Sequence, residues 1–127
     1  MHLIQLKQST LEVEQIAVPA GSARAPLVFL HEGLGSVAMW RSRDGFWPEQ
    51  VCAATGRAGV VYSRRGYGQS SGVADVRGAN RLPPDYMHQE AWQVLPELLK
   101  VLGLERPVLL GHSDAGTIAL LHAARYP

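Results

Sequence analysis

Ser113 is the residue of this chain whose type and setting most clearly suggest chemistry. It lies in the run Gly-His-Ser-Asp-Ala-Gly at residues 111–116, which follows an apolar run and precedes a helix-forming stretch. A tight turn of small residues between a strand and a helix strains the backbone at its tip and lifts the serine hydroxyl clear of the strand. The sequence therefore predicts a nucleophilic Oγ at Ser113, on the bend known as a nucleophile elbow. The alternative is a serine that caps the helix N-terminus.

The strands that must position this hydroxyl are predicted from the pattern of apolar residues. Residues 3–7 and 11–18 alternate apolar and polar side chains, which predicts a hairpin of half-exposed strands turning at Ser9 and Thr10. Continuous apolar runs predict strands covered on both faces. These runs are 26–30, 59–63 and 107–110.

Helices are predicted between and after these buried strands. The first covers 47–55 and ends at Gly56, and the second covers 85–102 and ends at Gly103. Pro96 should kink the second helix or begin a new first turn. The last helix runs to about Arg125 and is apolar nearly all round, so it should be buried.

The order of these elements indicates a single α/β domain over residues 1–127. We expect a mostly parallel sheet of about five strands with about three helices on its two faces and no lid. Ligands bind such sheets at the carboxyl ends of the strands. The candidate residues lie there, at 31–36 after one buried strand, 64–71 after the next and Ser113 after the third.

These motifs together resemble those of the α/β-hydrolase superfamily. Residues 30–36 are similar to the oxyanion turn of the family, which is usually His-Gly-x. Residues 62–70 are similar to its Asp-x-Arg-Gly-x-Gly-x-Ser segment, and residues 110–116 are similar to its elbow. Glu32 and Ala115 stand where the family usually has glycine. Family members usually run well beyond this length, so the chain resembles the N-terminal half of the core, a truncated α/β-hydrolase fold.

The resemblance implies acyl transfer at serine, without cofactor or metal. Ser113 would be the nucleophile, and the backbone N–H groups of Gly33 and Asp114 would bind the oxyanion, the latter aided by the helix dipole. A plain glycine turn is the alternative for the first of these. The substrate-binding residues would be His31, Leu34 and His112, although His112 is also expected to pack or to bond neighbouring backbone.

The base and acid of a catalytic triad are not found after Ser113 in the expected order. Only Asp114 and His122 follow it, and His122 is nine positions along the same helix, about 13 Å from the turn. Full activity would then require an acid and a histidine from further sequence, in cis or as a separate chain. The alternative is a non-catalytic remnant or an interaction module.

The remaining chemistry-bearing side chains have structural interpretations that we favour. Arg64 and Arg65 suit structural or solvated roles better than binding of an anionic substrate, and the lone Cys52 suits burial better than catalysis. The tryptophans suit core packing, with lining of an apolar pocket as the alternative. These are Trp40, Trp47 and Trp92.

Composition limits the partners. A net charge of +1 argues against nucleic acid and anionic membranes, and no apolar run reaches the roughly 18 residues that span a bilayer. The lone cysteine and the absence of a signal-like start predict a cytoplasmic protein. We expect a small ester or acyl substrate, with C–C bond hydrolysis left open.

In the family the strand ending at Leu110 lies in the middle of the sheet. Here its outer edge would expose unpaired backbone groups, and the last helix would lose part of its cover. The sequence thus predicts a marginal fold that binds a complementary C-terminal half or self-associates.

Overall fold

The computed structural model of the chain describes residues 2–7, 9–17, 24–32, 35–65, 68–70 and 86–126. Its strands are β1 (His2–Gln5), β2 (Thr10–Ile16), β3 (Leu27–Leu30), β4 (Arg41–Ser42), β5 (Gly45–Phe46), β6 (Gly59–Tyr62) and β7 (Val108–Gly111). Its helices are a 3₁₀ turn (Val37–Trp40), α1 (Trp47–Thr55), α2 (Tyr86–Gln89), a π-helical segment (Glu90–Val94), α3 (Leu95–Val101) and α4 (Ala115–Arg125).

The main sheet has five strands in the order β1-β2-β6-β3-β7. The hairpin β1-β2 is antiparallel and so is the pairing of β2 with β6, whereas β3 runs parallel to both β6 and β7. In this register Leu30 pairs with Tyr62 on one side and with Gly111 on the other. The carboxyl ends of the three parallel strands therefore lie at one rim, as the sequence predicted.

Helices cover both faces of this sheet. On one face, Val28, Leu30, Val60 and Tyr62 pack with buried residues of α3 and α4. On the other face, Leu27, Phe29 and Val61 pack with Cys52 of α1. Alternate residues of the same strands face opposite cores, which explains why these strands are continuously apolar.

The predicted strands and helices are confirmed, with one short hairpin missed. The helix at 47–55 begins and ends as predicted, and Gly56 ends it in the left-handed conformation at φ 66°. The hairpin β4-β5 pairs Arg41 with Phe46 and had no signal in the alternation pattern. Two-residue strands are too short for periodicity to reveal.

Pro96 explains why the second predicted helix is divided. It lies in the first turn of α3 and has no N–H to donate. The Ala91 carbonyl lies five residues before Pro96, the π-helical spacing, and the Trp92 carbonyl lies four residues before it, the α-helical spacing. Neither carbonyl can therefore accept an N–H from residue 96. Side chains of α4 and of the residue that follows it replace this partner. His122 Nδ1 is 2.8 Å from the Ala91 carbonyl, and Tyr126 OH is 3.1 Å from the Trp92 carbonyl.

The prediction that α4 is buried all round is wrong. The buried residues of α4 are Ala115, Ile118 and His122, and the side chain of Leu120 is 74% exposed. The cause is that β7 is an edge strand, with Val108 42% exposed, so nothing in the described residues covers the outer side of α4. A groove of ≈ 880 Å³ follows this face, bounded by Leu99, Leu109 and Leu120.

None of the helices in the described part of the chain has the length and apolar character needed to cross a bilayer.

Candidate active site

The backbone of Ser113 has the strained conformation expected of a nucleophile elbow. Its φ is +59°, a left-handed value that a non-glycine residue adopts only at a cost of about 1–3 kcal/mol. The side chain is exposed, and among the described residues Oγ forms no hydrogen bond. A helix-capping serine has extended backbone and bonds the helix N–H groups, so the capping alternative does not fit this geometry.

Hydrogen bonds hold the turn on both sides of Ser113. The N–H of His112 donates to the Leu30 carbonyl at 3.0 Å, which ties the start of the turn to β3. The N–H of Gly116 donates to the carbonyl of Ser113 at 3.0 Å and begins the helix. The N–H of Asp114 lies just before these helical donors, at the positive end of α4.

Gly111 is required by the close approach of the helix to the strand. A Cβ at Gly111 would lie 2.4 Å from the carbonyl oxygen and 2.6 Å from the carbonyl carbon of Ala115. Both are backbone atoms, so no side-chain rotation can relieve the overlap. Ala115 itself is fully buried, which is the reason a small residue is needed there as well.

His31 lies inside the protein, in the turn after β3. Its imidazole is fully buried, with Nδ1 2.6 Å from the Glu32 carbonyl and Nε2 accepting the N–H of Arg64 at 2.9 Å. These partners require a neutral ring with the proton on Nδ1. Burial lowers the pKa of His31 to about 4. The hydrogen bond to the Glu32 carbonyl opposes this lowering, and the nearby Arg64 charge adds to it. Both ring nitrogens are engaged within the protein, so the ring holds this turn, and the substrate contact predicted for His31 stays a prediction.

Gly33 and Leu34, the other residues assigned to this turn, lie outside the described residues. The neighbouring backbone is described, and the N–H of Gly35 donates to the Glu32 carbonyl at 3.0 Å. The oxyanion role of Gly33 and the substrate contact of Leu34 therefore stay predictions.

Arg64 joins the turn after β3 to the elbow. It is 2% exposed, and Nη2 is 3.3 Å from the His31 carbonyl oxygen and 3.4 Å from Asp114 Oδ1. Its neighbour Arg65 points elsewhere and pairs with Glu90, with Nε 3.1 Å from Oε1. Both arginines therefore have the structural interpretation that the sequence favoured.

His112 is exposed beside Ser113, and its ring lies against an aromatic cluster. The ring centroids of His112 and Trp40 are 5.9 Å apart, and Trp40 stacks on Trp47 at 5.5 Å with an interplanar angle of 8°. Both tryptophans contact Phe29 edge to face. Trp47 is 44% exposed, so the cluster forms part of the surface near the elbow as well as part of the core.

Two buried carboxylates near the rim were not singled out in the sequence. Glu12 on β2 accepts the hydroxyl proton of Ser63 at 2.6 Å, and Ser63 stands where the family segment has aspartate. Burial raises the pKa of Glu90, and the Arg65 charge opposes the rise. Beside it, the fully buried Tyr62 has a raised pKa, first from burial and second from the Glu90 charge. Alternating polarity predicted Glu12 as exposed, and only the packing of β2 against β6 reveals its role.

His88 and His122 make their contacts away from the elbow. His122 is buried against the Ala91 carbonyl, as described above, and His88 packs edge to face on Trp92 with centroids 5.0 Å apart. No group of three His, Cys, Asp or Glu side chains suited to a metal ion occurs in the described ranges. In the described residues, the hydroxyl of Ser113 and the N–H of Asp114 therefore lie side by side on the turn, and neither His88 nor His122 bonds to them.

Comparison with known proteins agrees with this geometry. Residues 25–127 match the family model described as the alpha/beta hydrolase fold. The chain belongs to that family. A carboxylesterase structure from Nitrososphaera gargenis superposes with a TM-score of 0.73 and 22% identity, over 99% of this chain and 41% of its own.

Two curated relatives show how varied the activities of this hydrolase family are. Proline iminopeptidase from Clostridium botulinum is 34% identical over 104 residues, covering 81% of this chain and 31% of the relative. Human 1-acylglycerol-3-phosphate O-acyltransferase ABHD5 is 28% identical over 107 residues, covering 84% of this chain and 27% of the relative. The chain thus spans about a third or less of the curated relatives it matches.

Proposed function

We propose that Ser113 is the nucleophile of a serine hydrolase that cleaves an ester or related acyl bond in a small substrate. The observation that carries this proposal is the +59° φ of an exposed serine between a parallel strand and a helix. The strained turn is possible because Gly111 has no Cβ to meet the backbone of Ala115, and the hydrogen bond from His112 to β3 holds the turn in place. Strain that the surrounding structure maintains in this way is typical of functional sites.

The chemistry follows from the position of the hydroxyl. Ser113 Oγ attacks the carbonyl carbon while its proton passes to a base, and the N–H groups of Asp114 and Gly33 bind the negative oxygen. The C–O bond to the leaving alcohol breaks as the alcohol takes that proton. Water then hydrolyses the acyl-serine ester and regenerates Oγ–H. The base and its orienting acid come from outside the described residues.

We also propose that the outer face of β7 and α4 binds a complementary polypeptide that carries this base. The face has an open sheet edge, the exposed Val108 and Leu120, and the groove beside Leu99. The relatives that match here are roughly two and a half to three times as long, so they contain material that could occupy such a face. Self-association through the same face is the other way to bury it.

The substrate is proposed only as far as the bond that is cleaved. The matched proteins are named as a carboxylesterase, an iminopeptidase and an acyltransferase, so their names do not agree on the group that is transferred. The aromatic cluster of Trp40, Trp47 and His112 favours an apolar substrate beside Ser113, because it gives this part of the rim an apolar surface.

The test supplies a base from solution. Imidazole in solution replaces a histidine side chain, and an alkyl fluorophosphonate reports attack by Oγ as a stable adduct. We expect imidazole to accelerate adduct formation at Ser113, and Ser113→Ala to abolish it in a protein whose circular dichroism is unchanged. Hydrolysis of p-nitrophenyl acetate above the Ser113→Ala background should follow the same dependence on imidazole.

A non-catalytic interaction module is the second candidate, and the open β7–α4 face is the observation that favours it. A folded chain with no adduct at Ser113, with or without imidazole, would support the module and defeat the hydrolase.

A further inference from the structure

Arg64 is the residue that connects the two turns expected to form the oxyanion hole. One turn follows β3 and contains His31. The side chain of Arg64 contacts it through Nη2, 3.3 Å from the His31 carbonyl oxygen, and the backbone N–H of Arg64 donates to His31 Nε2 at 2.9 Å. The other turn is the elbow, where the same Nη2 lies 3.4 Å from Asp114 Oδ1. A single side-chain nitrogen therefore contacts both turns.

The burial of Arg64 excludes the simpler interpretation of an anion-binding arginine. The side chain is 3% exposed and its charge already faces the Asp114 carboxylate, which is 27% exposed. A buried cation with an acidic partner gains little from a further anion and costs much when the partner is removed. Arg64 therefore acts by holding His31 and Asp114 in place and not by binding a substrate anion.

We propose that Arg64 is a positioning residue that holds the elbow, and with it the backbone N–H of Asp114, against the turn after β3. Asp114 supplies one donor through its backbone N–H, and its side chain is the group that Arg64 contacts. In the turn after β3, the Arg64 guanidinium contacts the His31 carbonyl, and the Arg64 backbone N–H donates to the His31 ring. The planar guanidinium suits this role because several N–H groups in one fork can bond two acceptors at once, which an ammonium on a flexible stem does less well. The inference rests on the proposed function of Ser113.

Arg65 provides a matched control in the adjacent position. It also forms a partly buried ion pair, with its side chain 23% exposed and that of Glu90 5% exposed. Its partner lies in the π-helical segment, away from the elbow. Removing either guanidinium breaks one ion pair with a buried member, but only removal of the Arg64 guanidinium breaks the side-chain link between His31 and Asp114.

The first experiment compares Arg64→Met with Arg65→Met by imidazole-assisted fluorophosphonate labelling of Ser113. The rate is measured against reagent concentration, which separates reagent binding from the maximal rate of adduct formation. Because a misplacement of 1 Å costs about 10²-fold in rate, we expect Arg64→Met to lower the maximal rate about 10- to 100-fold with reagent binding changed less than about twofold. Arg65→Met should stay within about threefold of the parent in both values.

Arg64→Lys keeps the charge beside Asp114 and protects the test if Arg64→Met fails to fold. We expect it to fall between the parent and Arg64→Met, because the ammonium retains one contact and loses the fork. Labelling by Arg64→Lys at the full parental rate, or equal losses in Arg64→Met and Arg65→Met, would overturn the positioning role.

Hydrogen exchange tests the connection without any reaction. We expect faster exchange at the amides of residues 114–117 in Arg64→Met and Arg64→Lys, and parental exchange there in Arg65→Met. Unchanged exchange in the Arg64 variants would overturn the inference. If the parent chain forms no adduct at Ser113, the proposed function fails, and the exchange result still decides whether Arg64 holds the elbow.

Discussion

Replacement of Gly111 by alanine is the perturbation that most sharply tests the elbow. The added Cβ would lie 2.4 Å from the Ala115 carbonyl oxygen, where ordinary contact begins at 3.4 Å. The shortfall is about 1 Å against backbone atoms, so the strand and the helix must move apart. The φ of Gly111 is not in the left-handed region, so the whole effect comes from this contact.

The size of the effect follows from that displacement. Overpacking against a rigid neighbour costs about 1–3 kcal/mol of unfolding free energy, and more where backbone must shift. A displacement of about 1 Å at the nucleophile lowers its reactivity by about 10²-fold. We therefore expect Gly111→Ala to destabilise the chain by at least about 2 kcal/mol in urea denaturation and to label at Ser113 about 10²-fold more slowly with imidazole and fluorophosphonate.

Gly116 offers the matched control, five residues further on in α4. A Cβ there would come no nearer than 3.9 Å to the Gly111 carbonyl oxygen, which is ordinary contact. Gly116→Ala should raise the unfolding free energy by about 0.5–1 kcal/mol through helix propensity, with labelling of Ser113 unchanged. If Gly111→Ala were as stable and as reactive as Gly116→Ala, the close approach we describe would not exist in the protein.

Further predictions concern His31, His122 and the open face. Because burial lowers the pKa of His31 from 6.5 to about 4, the neutral ring favours folding, and up to about 3 kcal/mol of stability is lost as pH falls from about 6.5 to 4. The free energy of unfolding in urea is measured against pH for the parent and for His31→Gln. The raised pKa of Glu90 makes stability rise as pH falls, but it acts in both proteins, so the difference between the two curves isolates His31. Parallel curves of unfolding free energy against pH would refute the role of His31. His122→Leu leaves the Ala91 carbonyl without its donor and should cost about 1–3 kcal/mol in urea denaturation, whereas a loss under about 0.5 kcal/mol would contradict that bond. Leu120→Lys should reduce any concentration-dependent association seen by light scattering, and unchanged association would place the contact elsewhere.

The parts of this fold that follow local rules were predictable from the sequence. Gly56 ends α1 because a left-handed residue is needed there, and the run at 27–30 is apolar because β3 has a core on both faces. The strained turn at Ser113 was predicted from its immediate neighbours, since such a turn needs only a strand, small residues and a helix in succession. Each of these signals lies within a few residues of the feature it predicts.

The contacts that organise the rim were not predictable, because they join residues distant in sequence. Arg64 meets Asp114 across 50 positions, and Ser63 meets Glu12 across 51. No periodicity or composition signal marks such a pair. The π-helical segment was predicted only in part. Pro96 indicated a break in the helix, but nothing in the sequence indicated that His122 and Tyr126 would bond the freed carbonyls.

We propose that the fold, and not the serine alone, makes Ser113 reactive. The most direct test of this proposal is mass-spectrometric mapping of imidazole-assisted fluorophosphonate adducts at Ser113 and at Ser42, an exposed serine of β4, in buffer and in denaturing urea. We expect Ser113 to react at least about 10²-fold faster than Ser42 in buffer, and the two to react equally once the chain is unfolded. Equal adduct formation at the two serines in the folded protein would contradict the account.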